Sequence, residues 1–244
     1  MSVNRPVYLD YQATTPLDQK VLDEMLPYFT EHYGNPASID HRIGNAARDA
    51  VESARTLILQ LLGDPGGKLV FTSGATEADN LAIVGYAEAN RNRGNHVVTF
   101  ATEHKAVLEP FQYLAANGFD VTVLPVDMTG MPDAEMVKAA LRKDTILVSC
   151  MAANNEIGTI YPVKELAEIV HSCSNAVFHC DATQAVGKLR VNVRSLGIDL
   201  MSISAHKIYG PKGVGALYIR RGLSLSRIKP LMRGGGHEYG LRSG

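Results

Sequence analysis

Seven short apolar runs alternate with segments of helical period along most of this chain, and that alternation narrows the fold more than any other feature. The runs are "KLVFTS", "HVVTFA", "DVTVLPV", "TILVSCMAA", "AVFHCDAT", "DLMSISAH" and "GALYIRR". They are continuous and rich in Val, Ile and Leu, as strands buried on both faces are. Between them, "ATEADNLAIVGYAEANRNRG" predicts a helix closing on Gly94, and "HKAVLEPFQYLAANG" a helix that Pro110 can bend. "DAEMVKAALRK" and "VKELAEIVHSC" predict two more. Ahead of the first run, "RIGNAARDAVESARTLILQLLG" puts Ile43, Ala46, Ala47, Ala50, Val51, Ala54, Leu57, Ile58 and Leu61 on one helical face and stops at Gly63. Buried strands joined through helices imply an α/β fold, a mostly parallel seven-stranded sheet with helices on both faces.

No linker-like stretch or repeat divides the chain, so residues from Pro16 onward read as one domain. The formal net charge of -1 gives no basic field to draw nucleic acid or anionic lipid. No run reaches the ~18 apolar residues of a membrane span. The opening "MSVNRPVYLDYQATTP" has neither an apolar signal core nor the Arg- and Ser-rich character of a transit peptide, so the expected location is the cytoplasm. Three cysteines, an odd number, argue against a disulfide framework. Cys150 and Cys180 lie within apolar runs and read as buried thiols.

In sheets of this kind ligands sit beyond the carboxyl ends of the strands. The polar clusters "SGAT", "TEH", "NNEIG", "DATQ" and "SAHK" each follow a predicted strand. Around Ala75 and Thr76, free N–H groups at a helix start suit a phosphate, while Thr76 with Asp79 equally matches a helix-capping pair. Asp181 needs a partner at such depth: a protonated pyridine nitrogen or an Asx turn would each serve. His104 can stack on a flat ring or cap a helix, and Asn154 and Asn155 can bind a phenolic oxygen or form a turn. In "SAHKIYGPKG", extended geometry would set Ser204 and His206 on one side and Lys207 on the other. A desolvated Lys207 can become neutral and condense with an aldehyde, and Lys212 is its rival. A zinc site from His171, Cys173, His179 and Cys180 is disfavoured, because adjacent strand residues face opposite ways.

In their order and spacing these clusters resemble the cysteine desulfurases, in the class V aminotransferase group of pyridoxal-phosphate enzymes. The resemblance runs through "YLDYQATTPLD", "GNPAS", "FTSGATEADNLAI", "TEHKAVLEP", "NNEIGTI", "DATQAVGK", "SAHKIYGPKGVGALY" and "GGGHEYGLRSG". It implies the large domain of the aspartate-aminotransferase-like fold over 16–244, with 1–15 contributed to a small domain. It also implies pyridoxal 5'-phosphate as cofactor, linked to Lys207, which later moves the substrate α-proton. Asp181 would pair with the ring nitrogen. His104 would stack on the ring and assist proton transfer. Gln184 and Asn155 would address the phenolic oxygen, and Ala75, Thr76, Ser204 and His206 the phosphate. The implied reaction takes sulfur from L-cysteine, releases L-alanine and leaves an enzyme persulfide. That sulfur would pass to iron–sulfur scaffold or tRNA-thiolation proteins, from a homodimer. A selenocysteine lyase, another class V aminotransferase, or a truncated module without catalysis are the competing readings.

Three departures stand out. Family chains continue past "RSG", where they carry the nucleophilic cysteine and a carboxylate-binding arginine, and Cys150, Cys173 and Cys180 match no such position. Tyr239 stands where the family usually has arginine, and Ala205 where it usually has glycine. The chain is therefore expected to be the cofactor-binding portion of such an enzyme.

Overall fold

The structure is a computed structural model that describes residues 6–244; residues 1–5 of the expected N-terminal segment lie outside the described residues. Its centre is a seven-stranded sheet of β1 (Lys68–Thr72), β2 (His96–Phe100), β3 (Asp120–Leu124), β4 (Thr145–Met151), β5 (Val177–Asp181), β6 (Leu200–Ser204) and β7 (Gly215–Ile219). The strand order is β1-β7-β6-β5-β4-β2-β3. The β3/β2, β2/β4, β4/β5 and β5/β6 pairs are parallel. Only β7 runs the other way, antiparallel to both β1 and β6. The β7 strand follows β6 through a turn instead of a helix, which is why it reverses.

Successive residues of each strand face opposite layers. Val148, Cys150, Phe178, Cys180 and Met201 pack with Leu166 and Val170 of α7 (Val163–Cys173). Leu147, Val177, Leu200 and Leu217 pack on the other face with α3 (Ala75–Asn80), α4 (Tyr86–Ala89) and α5 (Lys105–Ala116). Between α3 and α4 the helix passes through a π turn, Leu81–Gly85, with all five residues buried. The α5 helix runs unbroken through Pro110. The helix expected to close on Gly94 ends earlier, at Ala89: the Asn90 amide turns back to the Tyr86 carbonyl, and a short turn, Arg91–Arg93, follows.

Two helices precede the sheet, α1 (Gln19–Thr30) and α2 (Arg42–Leu61), and α6 (Ala134–Ala140) joins β3 to β4. The apolar face expected to bury α2 does not all turn inward. Ala47 is buried but Ile43, Leu57 and Leu61 are exposed, and the buried stripe also carries Leu59 and Arg55.

Arg55 explains this rotation. Its guanidinium forks onto Glu238, at 2.8 and 2.9 Å, and bonds the Leu69 carbonyl, while Glu238 also accepts the Phe71 N–H of edge strand β1. The Arg55 side chain lies 4.9 Å from the Phe71 ring centre and 5.1 Å from that of Tyr239. One buried charge thus ties α2, β1 and the C-terminal segment together. Glu52, 3.2 Å from the Arg55 Nε, is its other acidic partner but is more exposed, so Glu238→Ala leaves Arg55 only partly compensated and is expected to cost about 2 kcal/mol in urea unfolding. An unchanged midpoint would show that solvent satisfies Arg55 instead.

Candidate functional site

The carboxyl ends of β4, β5 and β6 and the start of α3 enclose a cavity of about 790 Å³. Ala75, Thr76, His104, Asn155, Asp181, Gln184, Ser204, His206 and Lys207 all line it. So does part of the N-terminal segment, Gln12, Ala13 and Thr14.

At one end, Gly74 precedes α3, and no side chain caps the helix start. Of the two readings of this stretch, the capping pair of Thr76 and Asp79 does not form. Thr76 already lies inside the helix, and Glu77 instead accepts the Ser73 N–H at 2.7 Å. This leaves the N–H groups around Ala75 and Thr76 facing the cavity, as an anion site requires. A side chain at Gly215 would come within 2.6 Å of the Gly74 backbone, so β7 can enter the sheet directly beneath this turn only with glycine there.

Lys207 does not continue the β6 strand. After Ser204 the backbone tightens into a short 3-10 turn, Ala205–Lys207, so the expected separation of Lys207 from Ser204 and His206 is absent: all three face one cavity. A β-carbon on Gly210 would stand 2.8 Å from the Ala205 methyl, so the alanine here is accommodated by the glycine opposite. The Lys207 ammonium donates to the carbonyls of Gln12 at 2.6 Å and Ala13 at 2.9 Å. Burial, and then the charge of Lys188, draw the Lys207 pKa below that of an ordinary lysine, with Asp181 and Asp10 pulling the other way. Burial and the two neighbouring lysines, 207 and 212, likewise lower His206, whose Nδ1 lies 3.0 Å from the Thr14 hydroxyl.

At the opposite end Asp181 is buried and accepts the Thr183 N–H on Oδ1 at 2.9 Å. His104 caps α5, its Nδ1 accepting the Ala106 N–H at 3.1 Å. Asn154 and Asn155 separate cleanly. The buried Asn154 side chain holds the turn through the Thr102 carbonyl and the Glu156 and Ile157 N–H groups, while Asn155 lines the cavity. The Gln184 carboxamide is oriented by two bonds, accepting from Lys188 at 2.7 Å and donating to the Gln12 carbonyl at 2.8 Å.

The zinc ligands weighed above go elsewhere: His171 pairs with Asp199 at 2.9 Å, His179 lies between Ser149 and Ser202, and Cys173 is exposed. Tyr239 is not among the cavity residues, and its ring lies by Arg55 and Lys68. Sequence reasoning missed Lys188, Gln12 and Glu103. Glu103 is buried and accepts the Met151 N–H at 2.7 Å, and its second oxygen has no partner among the described residues.

Three features of this cavity match pyridoxal 5'-phosphate. Its α3 end offers N–H groups and hydroxyls for a phosphate, its β5 end offers a carboxylate, and the buried Thr183 hydroxyl on its wall has no partner among the described residues.

The family model described as aminotransferase class-V matches residues 7–242. The chain is 52% identical over its 244 residues to the cysteine desulfurase IscS of Neisseria meningitidis, covering 60% of that protein. It is 49% identical over 237 residues to cysteine desulfurase IscS 1 of Archaeoglobus fulgidus, again 60% of its length. It thus spans about 60% of the length of these curated relatives. A solved NifS-like protein superposes with a TM-score of 0.93 at 44% identity, over 98% of this chain and 65% of the other. A structure titled SspA in complex with cysteine gives 0.92 at 40%, over 98% and 68%. These likenesses carry the fold expected above, an α/β large domain of the pyridoxal-phosphate type.

Burial pushes the Glu103 carboxyl up to about 8, with a further rise from Asp181 and only partial relief from the Met151 N–H. The folded chain therefore keeps a proton that the unfolded chain releases, so stability falls as pH rises from about 4.5 to about 8. Glu103→Gln is expected to make that slope shallower in urea unfolding across the same pH range, leaving the part that the raised Asp79 contributes in the same sense. A slope equal to that of the parent protein would show that Glu103 is not its source.

Proposed function

The chain belongs to the class-V aminotransferase family, and on that footing we propose that it is the cofactor-binding portion of a cysteine desulfurase acting on L-cysteine with pyridoxal 5'-phosphate. The observation that carries the reading is Lys207, a half-buried lysine of lowered pKa facing the same cavity as Asp181 and the uncapped start of α3. When bound, the cofactor supplies an aldehyde for amine condensation and a pyridine ring that draws electrons from the substrate carbon.

Each side chain then has a defined task. The N–H groups at Ala75 and Thr76, the Thr76 and Ser204 hydroxyls and the His206 ring hold the phosphate. Asp181 uses Oδ1 for Thr183, and its Oδ2 would pair with the ring nitrogen and favour a proton there. The Gln184 and Asn155 amides address the phenolic oxygen. His104, its Nδ1 already bonded to Ala106, would stack on the ring and present Nε2 for proton transfer. Lys207 holds and moves the substrate α-proton at Nζ, for which a lowered pKa suits it near neutral pH.

The persulfide-bearing thiol is assigned to none of the three cysteines. Cys150 and Cys180 are wholly buried and burial raises their pKa, while Cys173 closes α7 away from the cavity residues. Homodimer formation, transfer of sulfur to iron–sulfur scaffold or tRNA-thiolation proteins, and a cytoplasmic setting complete the proposal. So does the division into a small-domain segment over 1–15 and a large domain over 16–244.

Incubation with pyridoxal phosphate followed by borohydride reduction and peptide mapping is expected to label Lys207, and Lys207→Ala to lose the label. Label retained in that variant, or found on Lys212 or Lys188, would overturn the assignment. L-Cysteine is expected to perturb the visible band of the loaded protein more strongly than amino acids without a thiol. An equal response to all would favour another class V activity.

A further inference from the structure

The two ends of the cavity are carried by different elements, α3 at the phosphate end and β5 at the Asp181 end. Asp79 is the side chain that joins them. It follows Thr76 by about one helical turn, is 0% exposed and lies on the cavity wall. Neither of its carboxyl oxygens has a partner of good hydrogen-bond geometry among the described residues.

Beneath it, three neighbouring strands contribute a row of polar side chains on one face. His179 of β5 places Nδ1 2.8 Å from the Ser149 hydroxyl of β4 and Nε2 3.0 Å from the Ser202 hydroxyl of β6. Asp79 Oδ1 stands 3.6 Å from the same Nε2. Two residues beyond His179, on the same face, is Asp181.

A carboxylate in this place would lack the donors that buried anions need. The imidazole is no counter-charge, since both ring nitrogens meet hydroxyls and burial pushes its pKa down to about 3. The other ionisable groups that face Asp79 are Asp181 and Glu103, both acidic. Burial first, and then the Asp181 charge, raise Asp79 well above the usual carboxylate range, with a smaller opposing influence from the Ser202 hydroxyl.

We propose that Asp79 is a positioning residue of the cofactor site: as an uncharged carboxylic acid seated on the Ser149–His179–Ser202 row, it holds α3 and its phosphate cradle over the strand that presents Asp181. Its neutrality leaves Asp181 without a second anion competing for the ring proton. The positioning role rests on the reading of the cavity as a pyridoxal-phosphate site, whereas the protonation of Asp79 does not.

The test therefore has two arms. Infrared spectra of the cofactor-free protein near neutral pH are expected to show the carbonyl stretch of a buried carboxylic acid that Asp79→Asn removes. An identical spectrum in that variant would overturn the protonation. Titration with pyridoxal 5'-phosphate, read by visible absorbance, is expected to be about tenfold weaker for Asp79→Leu, with Asp79→Asn, which keeps an uncharged polar group of the same shape, within about twofold of the parent protein. The apparent pKa of the bound cofactor's band is expected to shift in the Leu variant and to be restored in the Asn variant. If Asn is as impaired as Leu, the carboxyl works as an anion and the proposal fails; it fails equally if neither variant differs from the parent. Should the parent protein take up no pyridoxal phosphate, the cofactor reading and the positioning role fall together, while the infrared arm still decides the protonation. Should Asp79→Leu fail to fold, the infrared arm and the Asn titration decide alone.

Discussion

Parallel pairing sends the ends of β4, β5 and β6 to a single edge of the sheet, and the cavity exists because of that edge. Beyond its last ladder bond each strand needs other partners for its backbone groups. The chain meets that need with polar residues at each exit: Asp181 accepts from Thr183, Asn154 holds the turn after β4, and Ser204 gives way to the turn that carries Lys207. The one reversed strand, β7, comes in under α3 where Gly215 passes against Gly74. Without that close approach the start of α3 and the end of β6 would not share a cavity.

Burial then acts on acids and bases in opposite senses within the same space. It lowers Lys207 and His206 and raises Glu103 and Asp79, in every case toward the uncharged form. A site built from many ionisable groups is thereby kept low in net charge, and such charge as remains is little screened. The N-terminal segment modifies this balance at Lys207. Its Gln12 and Ala13 carbonyls favour the ammonium, against burial and the nearby Lys188. Gln184 is tied to both sides of the contest, through Gln12 and Lys188.

Strand runs and site clusters were legible in the sequence because both depend on local chemistry: continuous apolar residues, then polar residues at the exit. What was not legible depends on tertiary contacts. The face of α2 that turns inward is decided by Arg55, whose partner Glu238 lies 183 residues away. The β6 pattern predicts extended backbone after Ser204, yet the turn there is closed by the Ile208 and Gly210 N–H groups bonding back to Ala205. Asp79 also matches half of a cap in the sequence, because it stands three residues after Thr76. Only the arrangement of β5 and β6 beneath α3 shows that it belongs to the interior.

The structural and functional readings of several residues turn out not to compete. His104 caps α5 and also faces the cavity; with its Nδ1 accepting the Ala106 N–H, the proton of a neutral ring must be on Nε2. Asp181 closes an Asx turn with Oδ1, and that bond fixes the carboxyl plane and so the direction of Oδ2. Asn154 is spent wholly on its turn, and the neighbouring Asn155 is thereby held toward the cavity. In each case the bond that looks merely structural removes a degree of freedom that ligand binding would otherwise have to remove. A polar residue at a strand exit is well suited to chemistry because one of its atoms is already committed to the fold.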